Sequence, residues 1–101
     1  MYVVHNRIDV PPGDGQSFEE TFVRNMKTTL AGVPGLRRSA LLRPERPGSP
    51  YVASMEFASR DDFLNWMKSD SFRAAHASAD ATGMQAPTNV ESFLVVEVAE
   101  S

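Results

Sequence analysis

Residues 51–67 read YVASMEFASRDDFLNWM and predict a β-strand followed directly by an amphipathic α-helix. Ser59 and Asp62 have the spacing of a capping box, which satisfies backbone N–H groups at the start of a helix. Phe63, Trp66 and Met67 then give this helix an apolar face. The stretch therefore predicts one β-α unit of an α+β domain.

The chain before this unit predicts two further strands and one helix. Residues 2–10 alternate between apolar and polar side chains, as in a half-buried strand. Ser17 and Glu20 again have capping-box spacing, so a helix is expected to start there and to end around residues 32–34. Its apolar face consists of Phe18, Phe22, Val23, Met26 and Leu30. Residues 36–43 predict a strand joined to 51–57 by a loop rich in Pro, Gly and Ser.

The chain after residue 67 predicts a break in the second helix. Residues 68–71 interrupt its apolar pattern, and Ser69 or Ser71 can cap a further turn or two that carries Phe72 and His76. Residues 77–89 are small and polar and predict a loop, and residues 93–98 predict the last strand. The resulting order β, α, β, β, α, β is that of a ferredoxin-like fold. We expect residues 1–101 to form one such domain.

Composition excludes several classes of function. The chain has 101 residues, a formal net charge of -3 and scattered cations, which argues against nucleic acid as a partner. It contains no cysteine, so disulfides, thiolate metal sites and cysteine nucleophiles are excluded. A metal would rest on imidazole or carboxylate. Because neither a signal peptide nor a long apolar span is apparent, we expect a cytoplasmic protein without membrane contact.

Asn6 interrupts the apolar side of the first strand, between Val4 and Ile8. A side-chain amide is costly in such a place unless it is hydrogen-bonded. The amide could bond neighbouring backbone or mark an interface, which is the common situation for buried polar groups. The functional interpretation is a hydrogen-bond donor that points into a pocket.

Trp66 and His76 each have a structural and a functional interpretation. Trp66, the single tryptophan, has the spacing of a core residue. His76 lies on the same helix side as Phe72, where a histidine is commonly a partnered structural residue. Its functional interpretation is a metal or haem-iron ligand. The neighbouring alanines would leave room for a flat ligand, namely Ala74, Ala75, Ala77 and Ala79.

No hydrolase triad order, P-loop, dinucleotide fingerprint or two-histidine metal motif occurs in the sequence. Two other segments, N-R-I-D-V from Asn6 and W-M-K-S-D-S-F-R-A-A-H from Trp66, resemble the IsdG-like haem-degrading monooxygenases. V-P-G-L at residues 33–36 and the final strand extend the resemblance over nearly the whole chain. The wider family is the antibiotic biosynthesis monooxygenase family, and the resemblance implies its dimeric α+β barrel of two ferredoxin-like protomers.

The resemblance implies a role for each residue of an Asn, Trp and His triad. His76 would ligate haem iron, Asn6 would donate a hydrogen bond on the distal side, and Trp66 would press on the porphyrin and help to ruffle it. Further haem contacts are expected from Phe22 and Phe72, and contacts with the propionates from Arg24 or Lys27. Haem would be both substrate and cofactor. Its electrons would come from an external donor, since no flavin or nicotinamide motif is present.

The residues leave two alternatives to oxygen-dependent haem cleavage. One is a cofactor-free monooxygenase acting on a quinol or a polyketide phenol, as elsewhere in the wider family, which would not need His76. The other is a protein that binds haem without degrading it.

Overall fold

The computed structural model describes residues 1–70, 72 and 90–100, and in these the predicted ferredoxin-like α+β order is confirmed. The elements are β1 (Tyr2–Ile8), α1 (Gly15–Thr29), β2 (Leu36–Leu42), β3 (Tyr51–Phe57), α2 (Arg60–Met67) and β4 (Val90–Leu94). The four strands form one antiparallel sheet in the order β2-β3-β1-β4. In this described part of the chain no helix is long and apolar enough to cross a membrane.

Strand register divides the sheet into a helix face and an open face. Tyr2 pairs with Phe57, and both pack in the buried core with Phe63 and Trp66 of α2. Since directly paired antiparallel residues point to the same side, Tyr2, Val4, Asn6 and Ile8 line the helix face. Phe57, fully buried, is the centre of this core. The alternate residues Val3, His5 and Arg7 lie on the open face.

α1 begins earlier than the sequence predicted. Its N-cap is Asp14, and the backbone carbonyl of Asp14 accepts the N–H of Phe18 at 2.9 Å. The turn at Gly13, where φ is +90°, brings Asp14 to this position. Ser17 therefore lies inside the helix and donates its hydroxyl to the Asp14 carbonyl at 3.1 Å. The predicted capping box at Ser17 and Glu20 is wrong.

The predicted cap of α2 is confirmed. Ser59 Oγ accepts the backbone N–H of Asp62 at 3.2 Å and donates to the Asp62 carboxylate at 3.0 Å. Gly35, with φ of +78°, packs so closely on the Asp62 side chain that any Cβ at residue 35 would overlap it. The Gly35 carbonyl also accepts the N–H of Ala58 at 2.8 Å. Gly35 thus ties the start of β2 to the start of α2.

The predicted break after α2 is also present. The helix ends at Met67, and helical residues resume at Asp70 and Phe72. Ser69 Oγ accepts the backbone N–H of Phe72 at 3.3 Å, so Ser69 is the capping serine. Ser71, the other candidate cap, lies outside the described residues, and so does the predicted loop 77–89.

β4 lies nearer the N-terminus than predicted, at Val90–Leu94 rather than residues 93–98. Its last ladder pair is Leu94 with Tyr2, and the N–H of Val95 reaches the Met1 carbonyl at 3.0 Å. β1 starts at Tyr2, so the residues beyond Val95 lie past the end of their partner strand. Residues 93–98 are rich in β-branched and apolar side chains, a composition typical of strands, but most of them extend past β1.

Candidate functional site

Asn6 carries the one buried side-chain polar atom without a hydrogen-bond partner among the described residues. This atom is Oδ1. Asn6 lies on the helix face and pairs with Ala53 of β3 and Val90 of β4, and Ala53 in turn pairs with Leu41 of β2. A buried amide oxygen left unpartnered costs about 1–3 kcal/mol. The prediction that Asn6 lies on the apolar side of β1 is confirmed, and none of its described neighbours satisfies this atom.

We call the four residues Leu41, Ala53, Asn6 and Val90 the Asn6 row. Aromatic side chains flank this row on both sides along the strands. Tyr51 lies two residues from Ala53 towards one end of β3, and its ring packs edge-on against Phe18 at 4.9 Å. Phe57 lies four residues from Ala53 towards the other end, beside Phe63 and Trp66. At a rise of about 3.4 Å per residue, Tyr51 and Phe57 are roughly 20 Å apart along β3. Between them the small Ala53 faces Asn6, so the row offers a polar group between two aromatic walls.

Trp66 belongs to the buried core and to the second aromatic wall. It is 8 % exposed, and its ring lies 6.0 Å from Phe57 and 6.2 Å from Phe63. Phe72 packs edge-on against it at 4.9 Å, with an interplanar angle of 87°. The structure thus places Trp66 on the helix face of the sheet, the same face as Asn6, and joins it to Phe72. The contact of Trp66 with a porphyrin stays a prediction.

The predicted contacts from α1 divide between two places. Phe22 is half-buried and packs on Phe18 at 5.5 Å, so it joins the aromatic wall at Tyr51. Arg24 is exposed. Lys27 lies instead in an open groove of about 300 Å³ between the C-terminal half of α1 and β2, with Arg37 and Arg38. Because β3 separates β2 from β1, that groove lies about two strand spacings, roughly 10 Å, from β1.

His76, the predicted iron ligand, lies outside the described residues. The other histidine, His5, belongs to β1. It lies on the open face and is half-buried, with its ring edge-on to Phe93 at 5.5 Å. Within the described residues no group of three or more His, Asp or Glu side chains could hold a metal ion.

A cluster that the sequence did not predict joins α1 to the β2-β3 hairpin. Arg43 donates to both carboxylate oxygens of Glu19, at 2.8 and 2.6 Å, and the Tyr51 hydroxyl donates to the same carboxylate at 2.5 Å. Hydrogen bonds from the Arg43 guanidinium and the Tyr51 hydroxyl together lower the pKa of Glu19 to about 2. Hydrogen bonding to Glu19 raises the pKa of Tyr51. Glu19 lies beyond the first turn of α1, which contains no acidic residue.

The family model of antibiotic biosynthesis monooxygenases matches residues 1–78. The chain belongs to the antibiotic biosynthesis monooxygenase family. A member from Staphylococcus saprophyticus, a haem oxygenase (staphylobilin-producing), is 32% identical over 84 residues, which cover 81% of this chain and 79% of that protein. A haem oxygenase (staphylobilin-producing) from Staphylococcus haemolyticus is 29% identical over 96 residues, covering 94% and 91%. The resemblance drawn from Asn6 and residues 66–76 is thereby confirmed.

Solved structures of antibiotic biosynthesis monooxygenases share this fold. A substituted form of MhuD with two manganese protoporphyrin IX molecules per active site superimposes with a TM-score of 0.84 at 27% identity, over the full length of both chains. The haem degrader MhuD from Mycobacterium tuberculosis with two haems in its active site gives 0.72 at 26% identity, over 99% and 100% of the chains. SnoaB, a cofactor-independent oxygenase from Streptomyces nogalater, is 22% identical with a TM-score of 0.76, over 99% and 97% of the chains, and shows the fold alone.

Proposed function

We propose that this protein is a haem-degrading monooxygenase that cleaves the haem macrocycle with dioxygen, releasing iron and a linear tetrapyrrole. The observation that carries the proposal is the unpartnered buried Oδ1 of Asn6. Its position between two aromatic walls suits a flat apolar ligand with a polar centre. The haem oxygenases among the relatives and the porphyrin-bound MhuD structures support the same ligand.

Three side chains have distinct roles in the proposed site. His76 would hold the iron through a ring nitrogen. The Asn6 amide group would hydrogen-bond to a ligand in the site, and the small Ala53 pairs with Asn6 on the neighbouring strand. Trp66, with Phe72 against it, supplies a wall that holds the macrocycle and excludes water. When bound, haem supplies the iron that activates dioxygen and is itself the molecule oxidised.

The proposed haem contacts also include Phe22, on the opposite wall, and the exposed Arg24 of α1. We further propose that residues 1–101 form a single domain and that two such chains assemble as a homodimer. Electrons come from an external reductant, because neither a flavin nor a nicotinamide motif occurs in the sequence. Cellular reductant pools favour a cytoplasmic location.

Haemin titration of the purified protein, followed by reduction in air, tests the proposal. We expect a shifted and saturable Soret band, which then decays when ascorbate is added while released iron is trapped by a chromogenic chelator. A protein that produces no Soret shift is not a haem enzyme, and a cofactor-free oxygenase becomes the better account. A ligated Soret band that survives ascorbate and air leaves only haem carriage.

The two histidines provide a matched pair of variants for the ligand assignment. His76→Ala should abolish the ligated haem spectrum, whereas His5→Ala, on the open face of the sheet, should leave it unchanged. An unchanged haem spectrum in His76→Ala would show that another group holds the iron.

A further inference from the structure

We propose that Ser69 is a positioning residue that fixes the angle between Trp66 and Phe72, and through them the shape of the haem-contacting wall. The proposal rests on the proposed function. It assigns a role to a side chain that neither touches the Asn6 row nor belongs to the Asn, Trp and His triad.

Ser69 is bonded to both aromatic residues through their backbones. Its hydroxyl donates to the Trp66 carbonyl at 2.5 Å, and its backbone N–H reaches the same carbonyl at 2.9 Å. The same hydroxyl oxygen accepts the N–H of Phe72 at 3.3 Å. One side chain therefore bonds both a carbonyl at the end of α2 and an N–H at the start of the next helical turn.

This pair of bonds determines how Phe72 meets Trp66. Trp66 is held by the core through Phe57 and Phe63. Phe72 packs against the exposed side of that core, almost perpendicular to the indole ring. The regular helix is interrupted at Lys68 and Ser69. The Ser69 hydroxyl bonds across this interruption and thereby sets the angle between the two rings. A flat ligand that touches both rings would depend on this angle.

The role of Ser69 differs from ordinary capping, and Ser59 provides the matched comparison. Ser59 caps α2 at the helix end far from Trp66, where its hydroxyl accepts the Asp62 N–H and donates to the Asp62 carboxylate. Ser59→Ala and Ser69→Ala each remove one capping hydroxyl and should lower stability to a similar extent. Only Ser69→Ala should alter the two aromatic rings.

The experiment compares wild type, Ser69→Ala, Ser69→Thr and Ser59→Ala, first without ligand and then with haemin. Trp66 is the single tryptophan, so its emission reports this site alone. We expect Ser69→Ala to keep the far-ultraviolet circular dichroism of a folded protein but to shift Trp66 emission to longer wavelength. Its haemin dissociation constant should rise about fivefold, because the Trp66–Phe72 contact is no longer fixed before the ligand binds, and the Soret maximum should be displaced. Ser69→Thr, which keeps the hydroxyl, should restore both signals.

The proposal is overturned if Ser69→Ala and Ser59→Ala show the same emission, affinity and Soret maximum, because Ser69 would then be a structural cap and nothing more. A Ser69→Ala protein that does not fold moves the decision to Ser69→Thr, whose wild-type spectra support the role of the hydroxyl and whose altered spectra contradict it. A wild-type protein that binds no haemin contradicts the proposed function itself. In that case the ligand-free emission still shows whether Ser69 sets the Trp66–Phe72 contact.

Discussion

At the scale of single residues, Asn6 lowers the stability of the ligand-free protein but takes part in the proposed function. Its buried amide oxygen lacks a described partner, a condition that costs free energy of folding in the ligand-free protein. Leucine has a similar size and no polar atom to desolvate. We expect Asn6→Leu to raise the free energy of unfolding of the ligand-free protein by about 1 kcal/mol, while haem degradation slows by tenfold or more.

Thermal unfolding of the ligand-free proteins and Soret decay under ascorbate measure these two effects. Asn65→Leu, at an exposed position on α2, is the control and should change neither. Destabilisation of Asn6→Leu would mean that the amide is satisfied in the folded chain and has a structural role.

Gly35 is the residue whose replacement the structure tolerates least well among the glycines of positive φ. Alanine there meets both the left-handed conformation and the Asp62 side chain. Gly32→Ala is the matched control, because φ is +75° and nothing lies within 4 Å of the added Cβ. We expect Gly32→Ala to cost about 1 kcal/mol and Gly35→Ala about 2–4 kcal/mol. Urea unfolding measures both values, and equal losses would show that Asp62 moves away without cost.

The sequence predicted those residues whose surroundings are local. Asn6 stood out because alternation assigns each residue of a strand to a face, and Ser59 and Ser69 because a cap is made within three residues. Ser17 was wrongly assigned as the N-cap of α1, since a second residue suited to capping, Asp14, lies one turn earlier. The Pro12–Gly13 turn makes Asp14 the N-cap instead. No pattern in the sequence states that Asn6 lies opposite Ala53.

At the scale of elements, the contact of Glu19 with Arg43 and Tyr51 couples α1 to the hairpin and depends on pH. The folded-state pKa of Glu19, about 2, lies below the ordinary value of 4.5. Its contribution to stability is therefore complete above pH 4.5 and is lost as the pH falls towards 2. The raised pKa of Tyr51 acts at alkaline pH. The contribution of its hydroxyl to stability is complete below pH 10 and is lost as the pH rises further.

Glu19→Gln tests this coupling. We expect the variant to melt at a lower temperature than wild type at pH 7 and the difference to shrink steadily between pH 4.5 and 2. Glu20→Gln is the control, since Glu20 is exposed and accepts a hydrogen bond from the neutral Gln16 side chain at 3.5 Å. A melting difference that is constant from pH 7 to pH 2 would show that the Glu19 carboxylate charge is not what joins the elements.

This contact could not be predicted from the sequence because its partners lie 24 and 32 residues from Glu19. Periodicity indicates which face of α1 is buried, but it does not indicate where the end of the helix meets the hairpin. The position of β4 failed for a related reason. Its pairing ends where β1 begins, and that limit belongs to the partner strand rather than to residues 93–98.

At the scale of the whole molecule, the open face of the sheet predicts self-association. No helix of the described chain packs on this face, which carries Val3, Val52 and the exposed Phe93 and Leu42. We expect light scattering to give twice the chain mass of 11.1 kDa. Phe93→Glu should weaken the dimer at least tenfold, because a charge would be buried at its centre. Met67→Glu, an exposed apolar position on α2, should leave it intact.

A wild-type protein that stays monomeric at micromolar concentration would contradict this arrangement, and so would a Phe93→Glu dimer as tight as the wild type. The element order and fold class followed from periodicity and capping alone. The expected pairing of two chains did not follow from periodicity, because an exposed apolar face in one protomer has no distinguishing spacing in the sequence.

The strand order also determines which part of the chain completes the proposed site. β1, β3 and β2 with both helices are built from residues 2–67, and these elements contain the whole buried core. β4 comes from the last part of the chain, pairs beside β1 and brings Val90 next to Asn6. Without β4 the Asn6 row lacks one side. The core and the Asn6 row therefore depend on different parts of the chain, and a change confined to β4 would alter the row while leaving the core residues in place.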